Sequence, residues 1–179
     1  ILMEDEFKTQ QYITDARVFR ASVDRPNIKY DVVRDIGFGI LLPKSVRFVR
    51  IAWEQGQQTG GYCPEDKCIV YCRTIEMAEQ VAELLCCPLY TSKSGDEAAK
   101  EYIISSWLNN HDCPCIVSTS ALGIGFDYAH IRMVVHVDAP TSMMDFSQET
   151  GRAGRDGLMP FAFGIASRIR GKNEVAHVD

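Results

Sequence analysis

Two arginines three residues apart, set among small residues, are the densest chemical signal in this sequence: Gln148-Glu-Thr-Gly-Arg152-Ala-Gly-Arg155-Asp-Gly157. A guanidinium fork grasps phosphate oxygens bidentately and stabilises charge developing on a transferring phosphoryl group. Gly151 and Gly154 remove side chains and let another surface approach closely. The same string also fits a glycine-rich helix end with solvated arginines. A second string, Ser118-Thr-Ser-Ala-Leu-Gly123-Ile-Gly125-Phe-Asp127, follows an apolar run. It crowds hydroxyls and backbone N–H groups at a strand end, where open α/β sheets bind ligands. Hydroxyls and N–H groups suit phosphate, and Asp127 suits a ribose hydroxyl. An ordinary structural turn fits the string as well. It fails as a dinucleotide fingerprint, because Tyr128 stands where the third glycine belongs. The third string is Tyr71-Cys-Arg73-Thr74. Thr74 is first of all a helix N-cap, and the helix end it opens is a ready anion site.

Regular elements must hold these strings in place. Alternating apolar residues (Ile28, Tyr30, Val32) after Pro26 predict a strand within residues 24–33. Pro43 to Gln55 predicts a helix with Val46, Val49 and Trp53 on one face, stopped by Gly56 and followed by a flexible connection to Gly61. Residues 68–72 read as a strand, and Thr74 caps a helix through Leu85 with Ile75, Ala78, Val81, Ala82 and Leu85 at helical spacing. A short strand at 89–91 precedes a capping box, Ser94-Gly-Asp-Glu97, which opens a helix to Leu108. Strands at 115–119 and 133–137, a helix at 143–150 and a last strand at 161–166 complete the pattern. Strands alternating with helices give an α/β layered sandwich around a mainly parallel sheet.

Composition narrows the class. The chain has 179 residues, 46% hydrophobic and 24% charged, which suits one globular domain and argues against disorder. No apolar run reaches the roughly 18 residues of a membrane span. The first residues, Ile-Leu-Met-Glu-Asp-Glu, do not read as a signal peptide. Without a Met at position 1, the chain reads as a fragment or an irregular gene product. Seven cysteines, several inside apolar runs, are expected to be reduced buried thiols in an intracellular compartment. Paired C-x-x-C spacings are absent, so no metal ligands are expected. The net charge is −5, yet residues 17–50 hold eight bases against three acids, and residues 145–172 hold five against three. Local basic faces on an acidic chain suit a polyanion bound at one edge; ordinary solvated faces fit them too.

The order of the three strings carries a resemblance. Cys68-Ile-Val-Tyr-Cys-Arg-Thr74, then Val117 to Asp127, then Gln148 to Gly157 resembles motifs IV, V and VI of superfamily 2 helicases. The Gly-Arg-Ala-Gly-Arg-Asp-Gly ending, Asp24-Arg-Pro-Asn27 and Ile131-Arg-Met-Val-Val-His136 are similar to the RecQ branch, over roughly residues 20–164. The resemblance implies a RecA-like three-layer sandwich of the P-loop NTPase type, the second lobe of an ATP-dependent 3′→5′ DNA helicase. It would occupy residues 21–166, between an N-terminal arm (1–20) and a C-terminal tail (167–179). Arg155 would be the arginine finger, with Arg152 its partner and Gln148 contacting nucleotide or water. Asp127 would hold the ribose, with Gly123 and Gly125 shaping the loop. Arg73, Thr74, Ser118 and Thr119 would contact the backbone of single-stranded DNA. ATP with Mg²⁺ would be shared with a first lobe, since Gly37-Phe-Gly-Ile-Leu-Leu-Pro43-Lys44-Ser45 is not a P-loop and no Asp-Glu-x-His occurs. A eukaryotic member would act in the nucleus. The family's usual Tyr-His-Ala-Gly is here Tyr90-Thr-Ser-Lys93, and Phe126 replaces an isoleucine. Two other readings are a degenerate lobe that binds nucleic acid or a partner without turnover, and an RNA helicase lobe.

Overall fold

The computed structural model describes residues 25–36, 41–123 and 127–167. In chain order they form β1 (Lys29–Ile36), α1 (Leu41–Gln58), β2 (Lys67–Cys72), α2 (Ile75–Leu85), β3 (Leu89–Tyr90) and α3 (Glu97–Asn109). Then come β4 (Cys115–Ser118), a 3₁₀ turn (Ser120–Gly123), β5 (Ile131–Val137), α4 (Met143–Thr150) and β6 (Phe161–Ser167). The strands make one sheet in the order β1-β6-β5-β2-β4-β3, with every pairing parallel. The expected arm at 1–20, the first part of the Gly37–Ser45 string, Gly125, Phe126 and residues 168–179 lie outside the described residues.

Both faces of the sheet are covered. α1 and α2 bury Val46, Val49, Trp53, Ala78 and Val81 against Cys68, Val70, Val117, Met133 and Val135. On the opposite face Trp107 of α3, Ala153 and Leu122 pack over Ile69, Ile116 and Val134. β2 and β5 are therefore buried along their whole lengths, which is why they read as mostly apolar runs rather than alternating ones, with Lys67, Arg132 and His136 as buried polar exceptions.

Four features differ from the sequence pattern, each for a local reason. α1 runs through Gly56 to Gln58, because Gly56 serves packing rather than termination. The Tyr62 ring lies where its Cβ would stand, 2.1 Å away at the nearest atom, and that ring also packs on Trp53 with centroids 4.6 Å apart. The chain reverses later, at Gly60 with φ +70°. Pro43 is thus the third helical residue, still in the turn where a missing N–H is harmless. Ser94 does not cap α3. Its Oγ accepts from the Thr91 N–H at 2.8 Å, and Asp96 caps the helix by accepting from Ala99. In β1 the alternation holds but the apolar side faces outward: Tyr30 and Val32 are 50% and 51% exposed, with Phe146 of α4 beside Tyr30. The remaining elements fall within two residues of expectation, and α4 matches it end to end.

Trp107 is fully buried and donates its indole N–H to the Pro114 carbonyl at 3.0 Å, fixing α3 to the start of β4. Trp107→Ala should destabilise the chain by about 3–5 kcal/mol, read as a lower urea midpoint with unchanged slope.

Candidate nucleotide and nucleic-acid surfaces

The loop joining α4 to β6 has no regular structure, so its polar backbone needs partners from elsewhere. Arg25 and Asn27 supply them. Arg25 donates Nη1 to the Gly151 carbonyl at 3.1 Å, and Nη2 to those of Ala153 and Gly154 at 2.7 and 3.1 Å. Asn27 donates Nδ2 to the Gly154 and Leu158 carbonyls at 3.0 and 3.1 Å. From below, the Gly154 N–H donates to the Ile131 carbonyl at 2.9 Å, and Arg132 of β5 forks onto both oxygens of Asp156. Gly154 has φ +58°, and a Cβ there would stand 2.6 Å from the Pro160 ring and 2.7 Å from the Leu158 carbonyl. The close approach expected of these glycines is therefore internal: the loop is folded tightly on itself.

Pinning its neighbours leaves Arg155 projecting. Its side chain is 37% exposed and donates Nη1 to Asp127 Oδ1 at 2.5 Å, with Asp127 itself 76% exposed. Arg152 points the other way. It is 7% exposed and lies beside the Tyr71 hydroxyl. Burial pushes the Tyr71 hydroxyl pKa up, and the Arg152 guanidinium partly opposes that. Gln148 is exposed on α4. The two arginines therefore do different work, one inside and one outside.

Arg73 and Thr74 are exposed just beyond β2, where Thr74 caps α2 by accepting from the Met77 N–H at 3.1 Å. Thr119 is half-buried beyond β4, the neighbouring strand. Ser118 is fully buried, and its hydroxyl lies 2.7 Å from the Tyr90 and the Thr119 carbonyls, so it braces the loop from inside. Near these strand ends His136 of β5 holds Glu149 of α4 at 2.8 Å, under the Tyr71 ring at 5.4 Å between centroids. Both partners are buried, and with Arg73, Ser120 and Asp138 they line a small cavity.

The three strings share an edge only in part, where Tyr71, Arg73, Ser120 and Glu149 line that small cavity. Those after β2 and β4 lie at adjacent strand ends, whereas the Arg155 loop sits over the beginning of β5, joined to Ile131 and Arg132. Gly123 ends the 3₁₀ turn, and Gly125 falls outside the described residues. Arg25, Asn27, Arg132 and the His136–Glu149 pair were not singled out as site residues by the sequence. Asp24-Arg-Pro-Asn27 was visible as a string without a role, and His136 and Glu149 are too far apart in sequence for any spacing rule.

The family profile described as helicase conserved C-terminal domain matches residues 62–157. The chain belongs to that family, in its RecQ-like branch. It is 29% identical over 177 residues to the RecQ-like DNA helicase BLM of Xenopus laevis, covering 94% of this chain and 12% of that protein. To the bifunctional 3′-5′ exonuclease/ATP-dependent helicase WRN of Mus musculus it is 35% identical over 153 residues, covering 82% and 10%. To the ATP-dependent DNA helicase RecQ of Pasteurella multocida it is 30% identical over 144 residues, covering 79% and 21%. The chain thus spans about a fifth or less of these relatives. Among solved structures, a DEAD box protein from Methanococcus jannaschii superposes with a TM-score of 0.63 at 16% identity, covering 93% of this chain and 43% of that one. Mss116p bound to ssRNA and AMP-PNP gives 0.63 at 13%, covering 80% and 28%. At such identities these two show a shared RecA-like fold. Among the described residues no helix is long and apolar enough to cross a membrane.

Two outcomes follow for the RecQ-like loop. Arg25→Ala strands three carbonyls and should lower stability by about 2–3 kcal/mol, measured by urea unfolding. The Arg132 fork, more than any other cause, holds the Asp156 carboxyl below the usual aspartate range. A depressed folded-state pKa stabilises fully above the unfolded value, near about 4, and is lost as pH falls through the lower folded value. Asp156→Asn should therefore flatten the acid limb of the stability–pH profile below about pH 4 and leave its neutral slope unchanged.

Proposed function

We propose that this chain is the second motor lobe of an ATP-dependent 3′→5′ DNA helicase, with Arg155 as its arginine finger. The observation that carries the reading is an exposed guanidinium on a loop held at Gly151, Ala153, Gly154 and Asp156, beside an exposed carboxylate. These two groups fit a nucleotide's phosphate and ribose. When bound, ATP supplies the phosphoryl transfer that powers movement along DNA. The phosphate cradle and the magnesium ligands would come from a first lobe, since this sequence has no P-loop string. Arg155 must leave Asp127 to reach phosphate, and an exposed ion pair is worth only about 0–1 kcal/mol. Arg152, buried beneath, positions the loop, and Gln148 faces nucleotide or water. Gly123, which ends the 3₁₀ turn, and Gly125, by its place in the sequence string, would serve the same nucleotide site.

The second surface takes DNA. Exposed Arg73 and Thr74 and half-buried Thr119, at the ends of neighbouring strands, suit the phosphates of a single strand, with Ser118 bracing Thr119. Backbone contacts make such binding indifferent to sequence and steep in salt. In a eukaryotic cell the protein would work in the nucleus.

The decisive test joins the chain to a nucleotide-binding first lobe and measures DNA-stimulated ATPase. Arg155→Ala should lower kcat by about 10³-fold or more with little change in nucleotide affinity. Arg155→Lys should rescue poorly, because a point charge lacks the planar fork. Melting should stay within about 0.5 kcal/mol of the parent. An unchanged kcat would take Arg155 out of the active site, and a large loss of melting temperature would give it a structural role. Fluorescence anisotropy tests the second surface: Arg73→Ala should weaken two unrelated single strands equally and reduce the salt slope by about one contact.

A further inference from the structure

Where the connection from α1 to β2 meets the turn before β5, three donors of different chemistry converge. Cys63 Sγ, the Asp66 carboxylate and a His130 ring nitrogen have ligand atoms all within 4.8 Å of one another. Neither the core nor the two surfaces above accounts for them. His130 Nδ1 lies 3.6 Å from Asp66 Oδ1 and 3.9 Å from Asp156 Oδ2, both too long for a hydrogen bond. His130 Nδ1 and Asp66 Oδ1 are nevertheless fully enclosed, and neither has an aligned hydrogen-bond partner. Arg132 Nε lies 3.1 Å from Asp66 Oδ1 as a charge neighbour without being directed at it. The Asp66 side chain is only 1% exposed.

The backbone, not the donors themselves, sets this arrangement. The Cys63 N–H donates to Asp66 Oδ2 at 2.7 Å, and the Asp66 N–H returns to the Cys63 carbonyl at 3.0 Å. The Lys67 N–H donates to the His130 carbonyl at 2.9 Å, and the Tyr128 hydroxyl to the Glu65 carbonyl at 2.8 Å. Fixed donors separated by more than a hydrogen bond suit a shared ion. In a zinc tetrahedron, bonds of about 2.0–2.3 Å put neighbouring ligand atoms about 3.3–3.8 Å apart. Charge points the same way. Asp66 and Asp156 face one cation, Arg132, which leaves one negative charge in excess. A divalent ion with a Cys63 thiolate brings this group to neutrality.

We propose that Cys63, Asp66 and His130 bind a divalent transition metal of the zinc class, with water in the fourth position on the exposed Cys63 side. A sulfur, nitrogen and oxygen donor set selects zinc-like ions over magnesium or calcium, which take oxygen. No C-x-x-C rule could find the site, because His130 comes from a distant loop. The ion ties the α1–β2 connection to the turn before β5. Through Arg132 and Asp156 it also braces the loop that carries Arg155.

Cobalt substitution of the whole 179-residue chain tests this independently of any helicase activity. After dialysis against chelator, Co²⁺ is titrated while near-ultraviolet thiolate-to-cobalt absorbance is followed, and Zn²⁺ then competes. The expected result is one Co²⁺ per chain with a thiolate band, displaced by Zn²⁺, and a melting temperature raised by Zn²⁺. Cys63→Ser should abolish the band, and His130→Ala should weaken binding at least tenfold. Both side chains reach solvent, so the metal-free variants should melt like the parent. Absence of the band in the parent overturns the proposal. So does a band that survives Cys63→Ser, which would assign the metal to other thiols, or undiminished affinity in His130→Ala. Should Cys63→Ser fail to fold, Cys63→Ala carries the same readout, and a band that survives it overturns the proposal.

Discussion

Everything distinctive about the Arg155 loop depends on one contact, the hold of Arg25 on three of its carbonyl oxygens. A loop without helix or strand bonds is ordered only if its backbone polar groups find partners. Arg25 suits this because a planar fork presents several donors in a fixed geometry that a lysine could not match. With Gly151, Ala153 and Gly154 held from one side and Asp156 forked from the other, Arg155 has little choice of direction. The contact also spans most of the chain in sequence. A short stretch before β1 decides the shape of a loop just before β6, the strand that pairs with β1.

Polar groups inside the sheet serve the same end. β5 carries Arg132 and His136 among apolar residues, and each reaches the segment that follows it: Arg132 to Asp156, and His136 to Glu149. A buried polar group is tolerated only when its hydrogen bonds are met, so these side chains specify where α4 and its loop must lie. Lys67 is another case. Fully buried at the start of β2, it sends its ammonium to the Asn110 carbonyl at 2.7 Å and closes the end of α3.

Much of this was legible beforehand, because the central strands are buried on both faces and their apolar runs are unmistakable. The helix faces of Val46, Val49, Trp53, Ala78 and Val81 followed from spacing alone, as did Thr74 as a cap. What escaped was long-range. Nothing local says that Gly56 makes room for the Tyr62 ring, or that Ser94 will serve Thr91 and leave the cap to Asp96. The Arg155 and Asp127 strings were recognisable, but their meeting at 2.5 Å was not. Nor was the split between an inward Arg152 and an outward Arg155, because both occupy equivalent places in the repeat Gly-Arg-x-Gly-Arg.

The Arg155–Asp127 pair has a quantitative corollary for any anion that draws Arg155 away. Such an anion meets a mixture of closed and open conformers, and its apparent affinity is scaled by the open fraction. At up to about 1 kcal/mol for an exposed pair, at least roughly one molecule in six is open at any moment. The handicap is then no more than about sixfold, small beside the discrimination a phosphate can supply. It shrinks further as ionic strength screens the pair. Asp127 thus acts as a weak resident competitor, strong enough to give the guanidinium a resting orientation and too weak to keep it there.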